Sequence, residues 1–200
     1  MIAIHRKKLL FIAIPKNAST SVVEWIKSNA GDDCERIGHY HYPAKLTPEH
    51  LREYSSFCFL RNPIDRFASA YRWLIAGGNG ASSEIEFGHE LARIGTISDV
   101  ALALLTDSSI SNYTHFIPQH KWISDDTGLI VNHVFPYRKN SQWMSDIVSG
   151  MLGVPVRLPQ ENVTNTQAKL DLTSDAIEAL KTFYAKDYEL IGWYRWGPLA

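Results

Sequence analysis

Two hundred residues, 45% hydrophobic and 12% aromatic, are enough for one domain with a real core and show little sign of disorder. A net charge of -1 argues against a general nucleic-acid or membrane-surface binder, so any anion site has to be built locally. The two cysteines, Cys34 and Cys58, are too few for a disulfide framework and lack metal-site spacing, which fits a reducing cytoplasm.

The first predicted element is a strand over Leu9–Ile14, a β-branched apolar run short enough to be buried on both faces. Its length and its Pro-Lys ending separate it from a secretion signal. No other stretch approaches the ~18 apolar residues of a membrane span. Pro15 stops the ladder, and Lys16, Asn17, Ala18, Ser19, Thr20 and Ser21 lead into a helix whose apolar face is Val22, Val23, Trp25 and Ile26. A strand, a hydroxyl-rich loop with one lysine and a helix N-terminus together suit a phosphate-like anion. The plainer alternative is that Ser19 or Thr20 only caps the helix. A Walker-type NTPase is disfavoured, because the lysine comes first and no glycine precedes Gly31.

The polar segment Gly31 to Pro48 contains His39 and His41, which project to one side if the chain is extended. They are candidates for a general base, or else ordinary polar residues; the other histidines do not complete a zinc pattern. A short helix is expected over Glu49–Tyr54 behind Thr47 and Pro48, then a buried strand over Ser56–Leu60 ended by Arg61-Asn62-Pro63. From Ile64, the residues Phe67, Ala70, Tyr71 and Leu74 form a helical stripe, with Ser69 on the same helix. In an open parallel sheet, ligands sit at the carboxyl ends of strands, so Arg61 and the Lys16 loop are expected to face one crevice. Arg61 suits a phosphate, whereas a salt bridge of Arg61 or Arg66 with Asp65 is the structural alternative.

Gly77 to Ser83 has loop composition, and helices are expected over Ile85–Ile94 and, with Ser98 as cap, over Ser98–Thr106. A third strand over Leu129–Phe135 leads to a helix over Gln142–Leu152 that stops at Gly153. Thr173 caps a last helix over Ser174–Tyr184, and the tail residues Tyr188, Trp193, Tyr194 and Trp196 read as core cover.

Pro-Lys-x-x-x-Thr-Ser after one strand and Arg-Asn-Pro-x-x-Arg-x-x-Ser-x-Tyr after the next resemble the sulfotransferases that use 3′-phosphoadenosine 5′-phosphosulfate (PAPS). The chain is most similar to the branch of carbohydrate O-sulfotransferases and their bacterial relatives. The likeness continues through Asn112–Gln119, Val134–Tyr137, the Leu158-Pro159-Gln160-Glu161-Asn162 turn and Tyr184–Trp193, so it covers nearly the whole chain. The resemblance implies an α/β fold with a small parallel sheet flanked by helices, P-loop-like, forming a single sulfotransferase domain over 1–200.

The resemblance further implies that Pro15, Lys16, Asn17, Ala18, Ser19, Thr20 and Ser21 bind the 5′-phosphosulfate, that Arg61 and Ser69 bind the 3′-phosphate, and that Asn162 joins the donor site. Lys16 is then catalytic, and His41 is the base by the family's His-x-x-Ala pattern, with His39 beside it. The implied product is 3′,5′-ADP, the acceptor a hydroxyl on a glycan, the compartment cytoplasmic, and no metal is needed. Two departures stand out: Ala18-Ser19 replaces the usual Gly-Thr, and Arg138 falls where relatives often carry an acid. The competing readings are a nucleotide kinase-like phosphoryl transferase, disfavoured by the missing Walker pattern, and a non-catalytic nucleotide-binding protein.

Overall fold

The computed structural model describes residues 1–37, 52–138, 141–158 and 171–193. The expectations for His39, His41, Asn162, Tyr194, Trp196 and the start of the 49–54 helix lie outside the described residues. The chain divides into two compact units, the first from the described residues of Met1–Arg61 and Gln119–Thr164, the second from those of Asn62–Pro118 and Asn165–Arg195.

The first unit is built on a central sheet of β1 (Ile2–Ile4), β2 (Leu9–Phe11), β3 (Cys34–Arg36), β4 (Ser55–Leu60) and β7 (His133–Pro136), in the order β3-β1-β2-β4-β7. A separate hairpin is made by β5 (Ser124–Asp125) and β6 (Gly128–Leu129). Strands β2, β4 and β7 run parallel, with Phe11 opposite Phe57 and Phe57 opposite His133. Strand β1 pairs antiparallel with both β2 and β3. The α/β class and the helix-flanked sheet are as expected, and the antiparallel edge is an addition. Only His5–Lys8 separates β1 from β2, and a parallel crossover needs a dozen residues or more.

One face of this sheet packs Leu9, Phe11, Phe57 and Phe59 against Val22, Val23 and Ile26 of α1 (Ser19–Ala30) and against Met144, Val148 and Leu152 of α7 (Ser141–Leu152). Each fully buried side chain of this kind contributes about 1.5–3 kcal/mol. By strand alternation Leu10, Ile12, Cys58 and Leu60 point the other way and are buried too, which is why these strands read as unbroken apolar runs. Burial pushes the Cys58 thiol far above its usual range, so it is an inert core residue.

Two strand expectations shift. Strand β2 ends at Phe11 rather than Ile14: the Ile12 N–H still reaches Phe57 O at 2.9 Å, but the Ile14 N–H turns back to Ile12 O at 3.1 Å, ahead of a proline with no N–H. Strand β7 begins at His133 rather than Leu129, because the Asn132 side chain occupies the place of a ladder rung. Its Oδ1 accepts from Ser56 N at 2.7 Å and from Ser56 Oγ at 2.8 Å.

The second unit is helical: α2 (Pro63–Ile75), α3 (Ser82–Ile94), α4 (Ile97–Ala103), α5 (Ser108–Ser111), α8 (Ser174–Phe183) and α9 (Ala185–Trp193); the short α6 (His120–Ile123) belongs to the first unit. Phe67, Leu74, Leu91, Val100, Phe116 and Leu180 form its core. Gly88 allows α3 to lie close on α2, since a Cβ there would run into Leu74 O. Asn62 caps α2 by accepting from the N–H groups of Ile64 and Asp65. The cap of α4 is Thr96, in a capping box with Asp99, and not Ser98. Ser98 is buried instead, donating to Asp171 O at 3.1 Å and accepting from Thr173 N at 3.0 Å. Arg66 and Asp187 are buried charged residues, and both act on the Tyr184 phenol, which donates to Phe116 O at 2.9 Å. Burial raises the Tyr184 pKa well above its ordinary range, with Arg66 pulling it down and Asp187 adding to the rise. Among the described residues no helix is long and apolar enough to cross a membrane.

Candidate active site

Because β2, β4 and β7 are parallel, their carboxyl ends lie on one edge of the sheet, followed in turn by the Lys16 loop, Arg61 and Tyr137. The loop after β2 turns tightly, with Lys16 at φ 70 and Ala18 at φ 58, both in the left-handed region. Asn17 between them sends its N–H back to Ile14 O at 3.3 Å. Turns of this kind aim successive N–H groups into a concavity that suits an anion. Ala18 is the N-cap of α1 and makes no side-chain cap, so Ser19 and Thr20 lie in the first turn and neither caps the helix. Val22 is the first to bond within the helix, to Ala18 O at 3.2 Å, which leaves the N–H groups of Ser19, Thr20 and Ser21 without an intrahelical acceptor. No acid stands in that turn to offset the positive end of the dipole.

Ala18 adopts the conformation that the usual glycine would take, at a cost of about 1–2 kcal/mol for a residue with a Cβ. Ala18→Gly relieves that cost but gives the unfolded chain more freedom, worth about 0.4–1 kcal/mol. Thermal melts should therefore place Ala18→Gly level with or above the natural chain and Ala18→Val below it by about 1–2 kcal/mol. Equal stability of the valine variant would contradict the left-handed turn.

Arg61 stands just beyond β4, where its Nη1 donates to Lys16 O at 3.1 Å and its guanidinium lies 4.7 Å from the centre of the Tyr137 ring. The Lys16 loop and Arg61 thus meet, as expected of the two turns. A stacked, hydrogen-bonded guanidinium has a fixed plane, and its planar fork of N–H donors matches the oxygens of a phosphate.

Beside them is a polar cluster whose glutamine, Gln119, sequence reasoning missed. Asn17, 1% exposed, donates from Nδ2 to Phe59 O and to Gln119 Oε1, both at 2.7 Å. Gln119, 0% exposed, also accepts from Arg61 N at 3.0 Å and donates from Nε2 to Arg61 O at 2.9 Å. The Asn17 side chain is therefore committed to holding the loop, and its Oδ1 has no partner among the described residues. Gln119 sits in the Asn112–Gln119 stretch that carries part of the resemblance, which gave it no role of its own. Arg138, whose role the sequence left open, lies over the Trp143 ring at 4.5 Å.

Ser69 is half-buried on α2 in the second unit. Among the described residues no group of three or more His, Cys, Asp or Glu is placed to hold a metal ion.

A model of the sulfotransferase family matches residues 1–194. The chain belongs to the sulfotransferase family. No curated protein and no solved structure matches it. As a sulfotransferase, the chain is a transferase that moves a sulfuryl group from a small-molecule donor to an acceptor hydroxyl. The match runs through both of the sulfotransferase's units, and the mixed α/β architecture with a helix-flanked central sheet is consistent with that family's fold.

Proposed function

We propose that this sulfotransferase takes its sulfuryl group from PAPS, delivers it to a hydroxyl of a carbohydrate or glycoconjugate, and releases 3′,5′-ADP, with residues 1–200 working as one catalytic domain. The observation that carries this reading is the left-handed Lys16–Ala18 turn at the open end of α1, tied to Arg61 through the 3.1 Å bond to Lys16 O. It supplies backbone donors, hydroxyls and the Lys16 side chain with no acid in the first turn, which is the chemistry a phosphosulfate needs, and it sets the Arg61 guanidinium alongside for a second phosphate.

On this reading the Pro15–Ser21 loop holds the 5′-phosphosulfate, while Arg61 takes the 3′-phosphate. Ser69 and Asn162 keep the donor-binding roles that the resemblance gives them. The acceptor oxygen forms a bond to sulfur as the bond from sulfur to the bridging oxygen breaks, and the departing phosphate carries away the electron pair. Lys16 stabilises the charge that grows on the bridging oxygen, and His41, with His39 beside it, accepts the proton of the acceptor hydroxyl. Fixed donors thereby perform the charge stabilisation, and catalysis is mostly positioning, as in phosphoryl transfer. The unpaired cysteines Cys34 and Cys58 fit a cytoplasmic enzyme.

Incubation with radiolabelled PAPS and a panel of glycans, lipids and phenols tests the reading. Label is expected on a carbohydrate hydroxyl. Transfer to phenols alone would overturn the acceptor class, and no transfer to any acceptor would overturn PAPS as the donor.

A further inference from the structure

We propose that Gln119 is a positioning residue for sulfuryl transfer, clamping the main chain of Arg61 and the side chain of Asn17 so that the arginine and the Lys16 loop are held together. The inference rests on the reading of Arg61 as the 3′-phosphate ligand.

The geometry is that of a missing rung. Beyond β4 the ladder has run out, yet Arg61 still has an N–H and a C=O to satisfy. The Gln119 amide meets both, accepting from Arg61 N at 3.0 Å and donating to Arg61 O at 2.9 Å, as a facing peptide on an adjacent strand would. These two main-chain groups also fix which end of the amide is which. A backbone N–H can only donate and a carbonyl can only accept, so Gln119 Oε1 is the atom left to face Asn17. Asn17 must then present Nδ2 to it, at 2.7 Å, while the same nitrogen reaches Phe59 O at 2.7 Å. One buried side chain thus sets the orientation of a second, and together they join the loop after β2 to the end of β4. Arg61 is constrained at its N–H, its C=O and its guanidinium, the last by Lys16 O and the Tyr137 ring. A glutamine that served packing alone would not need to grip both main-chain groups of the anion-binding residue.

Binding of 3′,5′-ADP and 5′-ADP is measured by calorimetry on the whole chain, for the natural protein, Gln119→Leu and Gln119→Glu, with thermal melts alongside. Gln119→Leu removes the bonds to Arg61 N, Arg61 O and Asn17 Nδ2 and should weaken 3′,5′-ADP roughly tenfold or more while 5′-ADP changes by less than about threefold, the signature of a misplaced Arg61. Gln119→Glu keeps the acceptor and deletes the donor to Arg61 O; it should fall between the natural protein and the leucine variant. It remains informative if Gln119→Leu does not fold. Variants that melt lower but keep the full preference for 3′,5′-ADP would reduce Gln119 to a structural residue and overturn the inference with the donor reading intact. A natural protein that shows no preference would overturn the reading of Arg61 and the inference with it.

Discussion

Lys16→Ala is expected to lower turnover by roughly 10²–10³-fold, the range for removing one preorganised donor at a developing charge. The affinity for 3′,5′-ADP should change far less. The main chain at Lys16 is held independently of its side chain, because its carbonyl accepts from Arg61 Nη1 and its neighbour Asn17 is anchored to Phe59 O and Gln119. Alanine can keep the left-handed turn at φ 70 at no greater strain than lysine, so the substitution removes the charge and leaves the loop. An interaction that strengthens as charge develops on the bridging oxygen contributes to turnover and little to ground-state binding. Ser19, Thr20 and Ser21 should behave in the opposite way, with their variants mainly weakening the donor. Unchanged turnover in Lys16→Ala would remove this residue from the mechanism.

The second large effect belongs to His41, the proposed base. His41→Ala should lower turnover by roughly 10²–10⁴-fold with 3′,5′-ADP binding intact, the range for a general base acting in the transition state. If His41 is the base as proposed, a neutral imidazole accepts the acceptor's proton, so the natural enzyme should lose rate as pH falls through the ordinary histidine range. That acidic limb should vanish in His41→Ala and persist in His39→Ala. The opposite pattern would exchange the two roles. Retention of the limb in both variants would move the base elsewhere, with Glu24, Glu49 and His115 the next to test.

What the sequence made legible was local. The runs Leu9–Ile14 and Ser56–Leu60 announced buried strands, and Pro15 and the Asn62-Pro63 pair marked their ends, because apolar runs and proline act on their own neighbourhood. Short elements were not legible: β1 and β3 have three residues each, too few to show a period. The cap of α4 was misplaced by two residues because Thr96 and Ser98 are both capping types, and only the fold shows Ser98 bonded to Asp171 and Thr173. The left-handed turn at Lys16 and Ala18 was hidden as well, since glycine is the usual marker and neither residue is one.

The site divides along the same line. Lys16 and Arg61 could be picked out from their strand-end positions and charge. Gln119 could not, because its partners lie 58 and 102 residues away in the chain and nothing local to it predicts either bond. The resemblance brought that stretch into view without giving the glutamine a task. Tyr137 likewise became part of the site only when β7 was placed beside β4, bringing its ring against the guanidinium.

Titration calorimetry of 3′,5′-ADP against 5′-ADP, on the natural protein and on Arg61→Ala, tests the central claim most directly. Charge-assisted hydrogen bonds to a phosphate contribute about 1.5–3 kcal/mol each, so the natural protein should favour 3′,5′-ADP by at least roughly tenfold. Arg61→Ala should lose most of that preference while still binding 5′-ADP. Equal affinity of the natural protein for the two nucleotides would contradict the assignment of a PAPS site with Arg61 on its 3′-phosphate.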